Sequence, residues 1–164
     1  MSLAAGRQLY SFDTSALIDG LERFYPIKNF PGIWEGIDSL IDDGRLLVSE
    51  EAWREAVSAD APLKEWCEDT AAGRDRCICS TDDVVATTAG EIVFQFPGWV
   101  TRGKKNTADP FVIAVAEAHT CGVISGETNG GPGRPKIPYV CAQRGVPHHR
   151  FVDVIVAEGW VLHR

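Results

Sequence analysis

Short apolar runs alternate with segments whose apolar residues recur every three or four positions, and this alternation covers almost the whole chain. Leu9 to Phe12 is an apolar run ending in Asp13-Thr14-Ser15, after which Ala16-Leu17-Ile18 begins a helical pattern. A buried strand, a turn and a helix are predicted. Phe30-Pro31-Gly32 opens a second helix with Ile33, Trp34, Ile37, Leu40 and Ile41 on one face, and Gly44 closes it. Leu46 to Val48 reads as the next strand. Ser49 is placed to cap a helix that turns Ala52, Trp53, Ala56 and Val57 inward and carries Glu51 and Glu55 one turn apart.

Pro62 to Ala72 and most of Asp82 to Phe96 are also expected to be helical, with the pattern weakest between Arg74 and Trp99. Thr107 is expected to cap a buried helix in which Pro110 falls in the first turn, where no amide donor is needed. Cys121 to Ser125 then predicts a strand, followed by a Gly-rich loop, a helix near Tyr139 to Gln143, a strand near His149 to Val152 and a last helix toward Trp160. Strands alternating with helices at this spacing predict an α/β fold, a three-layer α/β/α sandwich with a mostly parallel, Rossmann-like central sheet. At 164 residues the chain is expected to form a single domain.

Composition narrows the class. No stretch reaches about 18 apolar residues and Met1 to Arg7 has no leader pattern, so a soluble, cytoplasmic protein is expected. The cysteines at 67, 77, 79, 121 and 141 are an odd set without CxxC spacing, which fits reduced thiols. Cys77 and Cys79 with His148 and His149 match no zinc module. The tryptophans and phenylalanines fall mostly at apolar helical positions and are expected in the core. A net charge of −7 argues against bulk attraction to nucleic acid. It leaves room for local basic clusters, here Arg102, Lys104 and Lys105, and Arg134 with Lys136.

Candidate chemistry lies with the acids. Ligands of open α/β sheets bind beyond the carboxyl ends of the strands. Asp13 directly follows the first strand, Glu127 lies two residues past the Cys121 to Ser125 strand, and Glu55 rides the helix leaving the second strand, with Glu51 as the alternative. Asp109 sits in the first turn of the buried helix, where the helix dipole favours negative charge. Carboxylates converging there would repel one another, and hard divalent cations with oxygen ligands are the usual compensation. Ser15 and Ser125 follow strands and could meet water or phosphate oxygens, and Lys104, Lys105 and Lys136 could meet phosphates. Gly126 to Gly133 contains neither GxGxxG nor GxxxxGK[ST], so it reads as a lip beside the acids rather than a nucleotide loop.

These motifs carry a family resemblance. Tyr10-Ser11-Phe12-Asp13-Thr14-Ser15 resembles the opening strand and turn of PIN-domain nucleases. Val48-Ser49 through Trp53-Arg54-Glu55, then Ala108-Asp109-Pro110-Phe111 and Val123-Ile124-Ser125-Gly126-Glu127, resemble that family's later acid motifs in order, with Glu127 where many members have Asp. The Phe30-Pro31-Gly32-Ile33-Trp34 and Lys136-Ile137-Pro138-Tyr139 stretches look more narrowly like a subfamily of uncharacterised bacterial PIN-like proteins. The resemblance implies a Mg²⁺- or Mn²⁺-dependent endoribonuclease with Asp13, Glu55, Asp109 and Glu127 as catalytic metal ligands. It also implies the toxin of a toxin–antitoxin pair, with RNA as substrate, an antitoxin as partner and a homodimer as a common assembly.

Two other classes compete. One is a PIN-like module that binds RNA or protein without cutting. The other is a haloacid-dehalogenase-type phosphatase, which wants a second Asp two residues after the first, where this chain has Ser15.

Overall fold

All three residues of β1 (Tyr10–Phe12) are buried, so this strand has no solvent face and must lie inside a sheet covered on both sides. The structure, a computed structural model, describes residues 8–100 and 107–162 and bears this out. A five-stranded sheet has the order β3-β2-β1-β4-β5. β1 pairs in parallel with β2 (Leu46–Ser49) and β4 (Gly122–Ile124), β2 with β3 (Ile78–Cys79), and β4 with β5 (His148–His149). Every carboxyl end therefore points the same way.

Side-chain alternation along β1 assigns the two faces. Ser11 turns toward α6 (Asp109–Ala118), where its Oγ donates to the Val112 carbonyl at 2.7 Å. Phe12 turns the other way and meets Phe151 of α8 (Phe151–Glu158) edge-on at 5.9 Å. Phe151 also packs on Trp34 of α2 (Pro31–Asp42). Close approach needs a glycine: a Cβ at Gly20 would lie 2.9 Å from the Phe151 ring. The three-layer sandwich follows, with α6 on one face and α2 and α8 on the other.

The remaining elements are α1 (Thr14–Ile18), which runs on as a π-helical turn over Asp19–Phe24, then α3 (Glu50–Val57), α4 (Leu63–Glu68), α5 (Asp83–Gln95) and α7 (Ile137–Arg144). Several boundaries differ from expectation. The helix expected from Pro62 to Ala72 stops at Glu68, because Asp69 leaves helical geometry and Gly73 takes a left-handed conformation. A 3₁₀ turn (Arg74–Cys77) and β3 then occupy a region the sequence pattern left open. Thr107 is not the cap of α6: Ala108 precedes the helix, with no side-chain cap. The fifth strand is only His148–His149, and Val152 belongs to α8, which ends before Trp160. Phe24 and Phe94 are exposed rather than core. Among the described residues no helix is long and apolar enough to cross a membrane.

The last helix is fastened to the sheet by one polar cluster. Glu158 accepts both terminal nitrogens of Arg45 at 2.7 Å and the Tyr10 hydroxyl at 2.7 Å. Both charged side chains are nearly excluded from water. Hydrogen bonds from Arg45 and Tyr10 outweigh burial and hold the Glu158 carboxyl below its ordinary value of 4.5. Its stabilising contribution is therefore full above pH 4.5 and is lost as pH falls through the lower folded value. Glu158→Ala should cost about 1.5–3 kcal/mol in urea unfolding at neutral pH. That difference should shrink in acid, and a pH-independent difference would mean that packing, not charge, is what the substitution removes.

Candidate functional site

The carboxyl ends of β1, β2 and β4 lie side by side, and the chain brings four acids toward them from four segments. Asp13 leaves β1 as the cap of α1, its Oδ2 accepting the Ser15 amide at 3.2 Å and the Ser15 hydroxyl at 2.5 Å. Ser15 in turn accepts the Gly126 amide at 2.9 Å, which binds the exits of β1 and β4 together. A Cβ at Gly126 would collide with Asp19 Oδ2, so any side chain there would have to displace the Asp19 carboxylate. Asp109 is the first residue of α6, and the Ser11 bond to Val112 fixes that helix over β1.

Glu55 lies half-buried on α3, where its Oε2 accepts the Thr14 hydroxyl at 3.4 Å and the Ala108 amide leans on the same carboxylate. It thus touches the neighbours of both Asp13 and Asp109. Glu127 accepts the Ile137 amide at 2.9 Å, so its carboxylate sits at the start of α7.

Electrostatics identify these side chains as one group. The Asp13 carboxyl is pushed up from 3.8 to about 6, first by burial and then by Glu127 and Glu55, with Ser15 opposing. Burial drives Asp109 further, to about 9, and Asp13, Glu127 and Glu55 add to it. The helix dipole at the start of α6 favours the charged form but does not offset burial among three other acids. Burial also raises Glu55. One oxygen on each buried acid, Asp13 Oδ1 and Asp109 Oδ2, is sealed from solvent without a hydrogen-bond partner among the described residues.

Glu51 stands apart. Its Oε1 accepts the Thr81 hydroxyl at 2.5 Å beyond the end of β3, and it is not among the charges that raise Asp13 or Asp109. Glu55, not Glu51, is the second-helix acid of the cluster.

The expected phosphate contacts divide. Ser15 orients Asp13 and holds Gly126. Ser125 is fully buried, its Oγ 2.6 Å from His148 Nε2 and accepting the Glu127 amide at 3.2 Å. Its hydroxyl thus positions the loop that carries Glu127. Lys136 immediately precedes the Ile137 amide that holds Glu127. Lys104 and Lys105 lie outside the described residues, as does Arg102. The sequence pattern assigns no role to the Thr14 hydroxyl or Asp19, and His148, weighed there as a zinc ligand, is found against the Ser125 hydroxyl instead. The only signal for Asp19 was its place one helical stretch past Asp13, which by itself reads as a solvated face.

Among the described residues no three His, Cys, Asp or Glu side chains already stand as a ligating group. What the chain defines is a Rossmann-like α/β domain with a cluster of carboxylates at the carboxyl end of its central strands. Over residues 10–162 it matches the family described as a domain of unknown function, DUF4411, and it belongs to that family. No curated protein matches it.

Because the folded Asp13 and Asp109 hold their protons more tightly than the unfolded chain, the folded state loses relative stability as pH rises above 3.8. Asp13 contributes to this loss until about pH 6 and Asp109 until about pH 9, at up to roughly 1.4 kcal/mol per pH unit for each group. In chelator, the melting temperature should fall across this range. Asp109→Asn should flatten the fall between about pH 6 and about pH 9 and melt higher than wild type at the alkaline end. A variant that melts lower there would make Asp109 a structural cap of α6.

Proposed function

We propose that this chain is a divalent-cation-dependent endoribonuclease of the PIN type, hydrolysing phosphodiester bonds of single-stranded RNA with Mg²⁺ or Mn²⁺ at its acid cluster. The observation that carries the reading is the pair of buried, unbonded oxygens, Asp13 Oδ1 and Asp109 Oδ2, among carboxylates that repel one another. Buried polar atoms are nearly always bonded, so two orphans on electrostatically coupled acids call for a missing partner. An all-oxygen donor set suits a hard cation and not zinc, whose sites favour Cys and His. One or two carboxylates are enough for Mg²⁺, which keeps water and phosphate oxygens in its remaining positions.

When bound, such a cation lowers the pKa of water and neutralises charge on the phosphate and the leaving oxygen. The protein does the rest. Ser15 keeps the second oxygen of Asp13 occupied and so turns Oδ1 inward. Glu55, raised by burial and tethered to Thr14, is suited to take the proton of the attacking water. Glu127 closes the opposite side from the amide of Ile137. Lys136 and Arg134 supply local positive charge on a chain of net charge −7. Acids buried at the strand ends are not easily reached by an A-form duplex, which favours unpaired RNA. The antitoxin partner, the homodimer and the cytosolic setting belong to the same reading, and they rest on the resemblance of the acid motifs to PIN toxins.

Wild type should cut single-stranded or loop RNA with Mg²⁺ or Mn²⁺ and not in chelator, with activity falling steeply as salt rises. Asp13→Ala should abolish cutting while circular dichroism stays that of the folded protein. Equal cleavage by both proteins would mean a contaminating nuclease. No cleavage by wild type with either metal would favour a module that binds without cutting.

A further inference from the structure

Beside the acid cluster lies a second pocket, of about 150 Å³, that none of the chemistry above uses. Ala16, Phe24, Tyr25, Phe151 and Val152 line it with apolar surface, and Asp19, Arg150, Ser125 and Gly126 complete the lining. Clefts for drug-sized ligands run to roughly 300–1,000 Å³, so this one has room for a single planar ring system. It adjoins the acids directly. Gly126 is a wall of the pocket and also donates its amide to Ser15, whose hydroxyl holds Asp13.

Local backbone builds this pocket. The helix leaving β1 widens into a π-helical turn over Asp19–Phe24, closed by the Tyr25 amide donating to the Gly20 carbonyl at 2.8 Å. That i to i+5 bond brings Asp19 and Phe24, five residues apart, onto one side, and both line the pocket. Wide turns of this kind are frequently found at functional sites. Phe24 is 56% exposed, an aromatic ring left in water beside a cavity rather than packed in the core. Among the described residues, Asp19 Oδ1 pairs with the exposed Arg23 at 3.2 Å, an i,i+4 pair worth a few tenths of a kcal/mol. Its carboxylate is therefore cheap to share.

The geometry points to a nucleobase site: the pocket receives the unpaired base next to the phosphate being cut, stacked on Phe24 and Tyr25 and read by Asp19, and the base it selects is guanine. This inference rests on the nuclease reading and names its substrate more narrowly. Unpaired RNA bases are held by aromatic stacking and by hydrogen bonds to their Watson–Crick edge. A carboxylate offers only acceptors. Guanine alone presents two adjacent donors on that edge, N1–H and the 2-amino group, which match the two oxygens of one carboxylate. Adenine and cytosine each offer a single amino donor flanked by an acceptor, which a carboxylate repels. Arg150 on the rim is placed to meet the phosphate of the same nucleotide, a contact that carries no base preference.

Sequencing the ends produced from a randomised single-stranded RNA pool tests the assignment, together with fluorescence titration of GMP, AMP, CMP and UMP in chelator. Wild type should enrich guanine at one fixed position beside the cut by about tenfold or more. Asp19→Asn should go on cutting the pool with that enrichment lost. Inosine, which keeps N1–H but lacks the 2-amino group, should be cut at that position less well than guanine and better than adenine. GMP should bind wild type more tightly than the other nucleotides, and Phe24→Ala should weaken all four. Cleavage without base preference, or a guanine preference retained by Asp19→Asn, would overturn the pocket and leave the nuclease standing. If wild type cuts nothing, the nuclease reading falls and the titrations decide the pocket alone: GMP selectivity lost in Asp19→Asn sustains it, and equal binding of all four nucleotides overturns it.

Discussion

Two carboxyl groups are held out of water with one oxygen on each left unbonded, and most of what is specific to this fold serves to keep them there. An unsatisfied buried polar group costs about 1–3 kcal/mol, and Asp13 and Asp109 bear that cost while facing each other and two further acids. A fold selected for stability alone would solvate or neutralise them. Here the core opposes any such relaxation. β1 is buried on both faces, Ser11 pins α6 by its Val112 carbonyl, and Phe12 is locked under Phe151, so neither acid can turn to solvent without breaking the central strand.

The parallel sheet makes this economical. Because all the strands point one way, their exits lie side by side, and each acid needs only a short local tether. Ser15 holds Asp13, Thr14 holds Glu55 and the Ile137 amide holds Glu127. The same crowding explains Gly126, which stands where Asp19 approaches from α1 and a side chain would have to displace its carboxylate. Gly126 also lines the neighbouring aromatic pocket, which therefore adjoins the acid cluster.

The layered architecture was legible because it rests on periodicity. Leu9 to Phe12, Leu46 to Val48 and Cys121 to Ser125 are apolar without alternation, the mark of strands covered on both faces. Asp13, Asp109 and Glu127 could be named because each follows a strand or opens a helix, and Glu55 because it lies on the helix that leaves β2. Legibility failed where structure depends on a few polar bonds between distant segments. β3 is two residues long and exists only as a partner for β2, and a run of two carries no period. The choice between Glu51 and Glu55 turned on Thr81, thirty positions away from Glu51. The π-helical turn leaves a helical pattern almost unchanged in sequence, so Phe24 read as core although the extra residue turns it to solvent.

The central claim is that Asp13 and Asp109 wait for a divalent cation, and calorimetric titration of Mn²⁺ into the metal-free protein tests it most directly. Wild type is expected to bind weakly and saturably. The double variant Asp13→Asn, Asp109→Asn is expected to keep its fold and lose that binding. Unchanged Mn²⁺ binding by the folded double variant would contradict the account, because the two unbonded oxygens would then not be the ones that meet the metal.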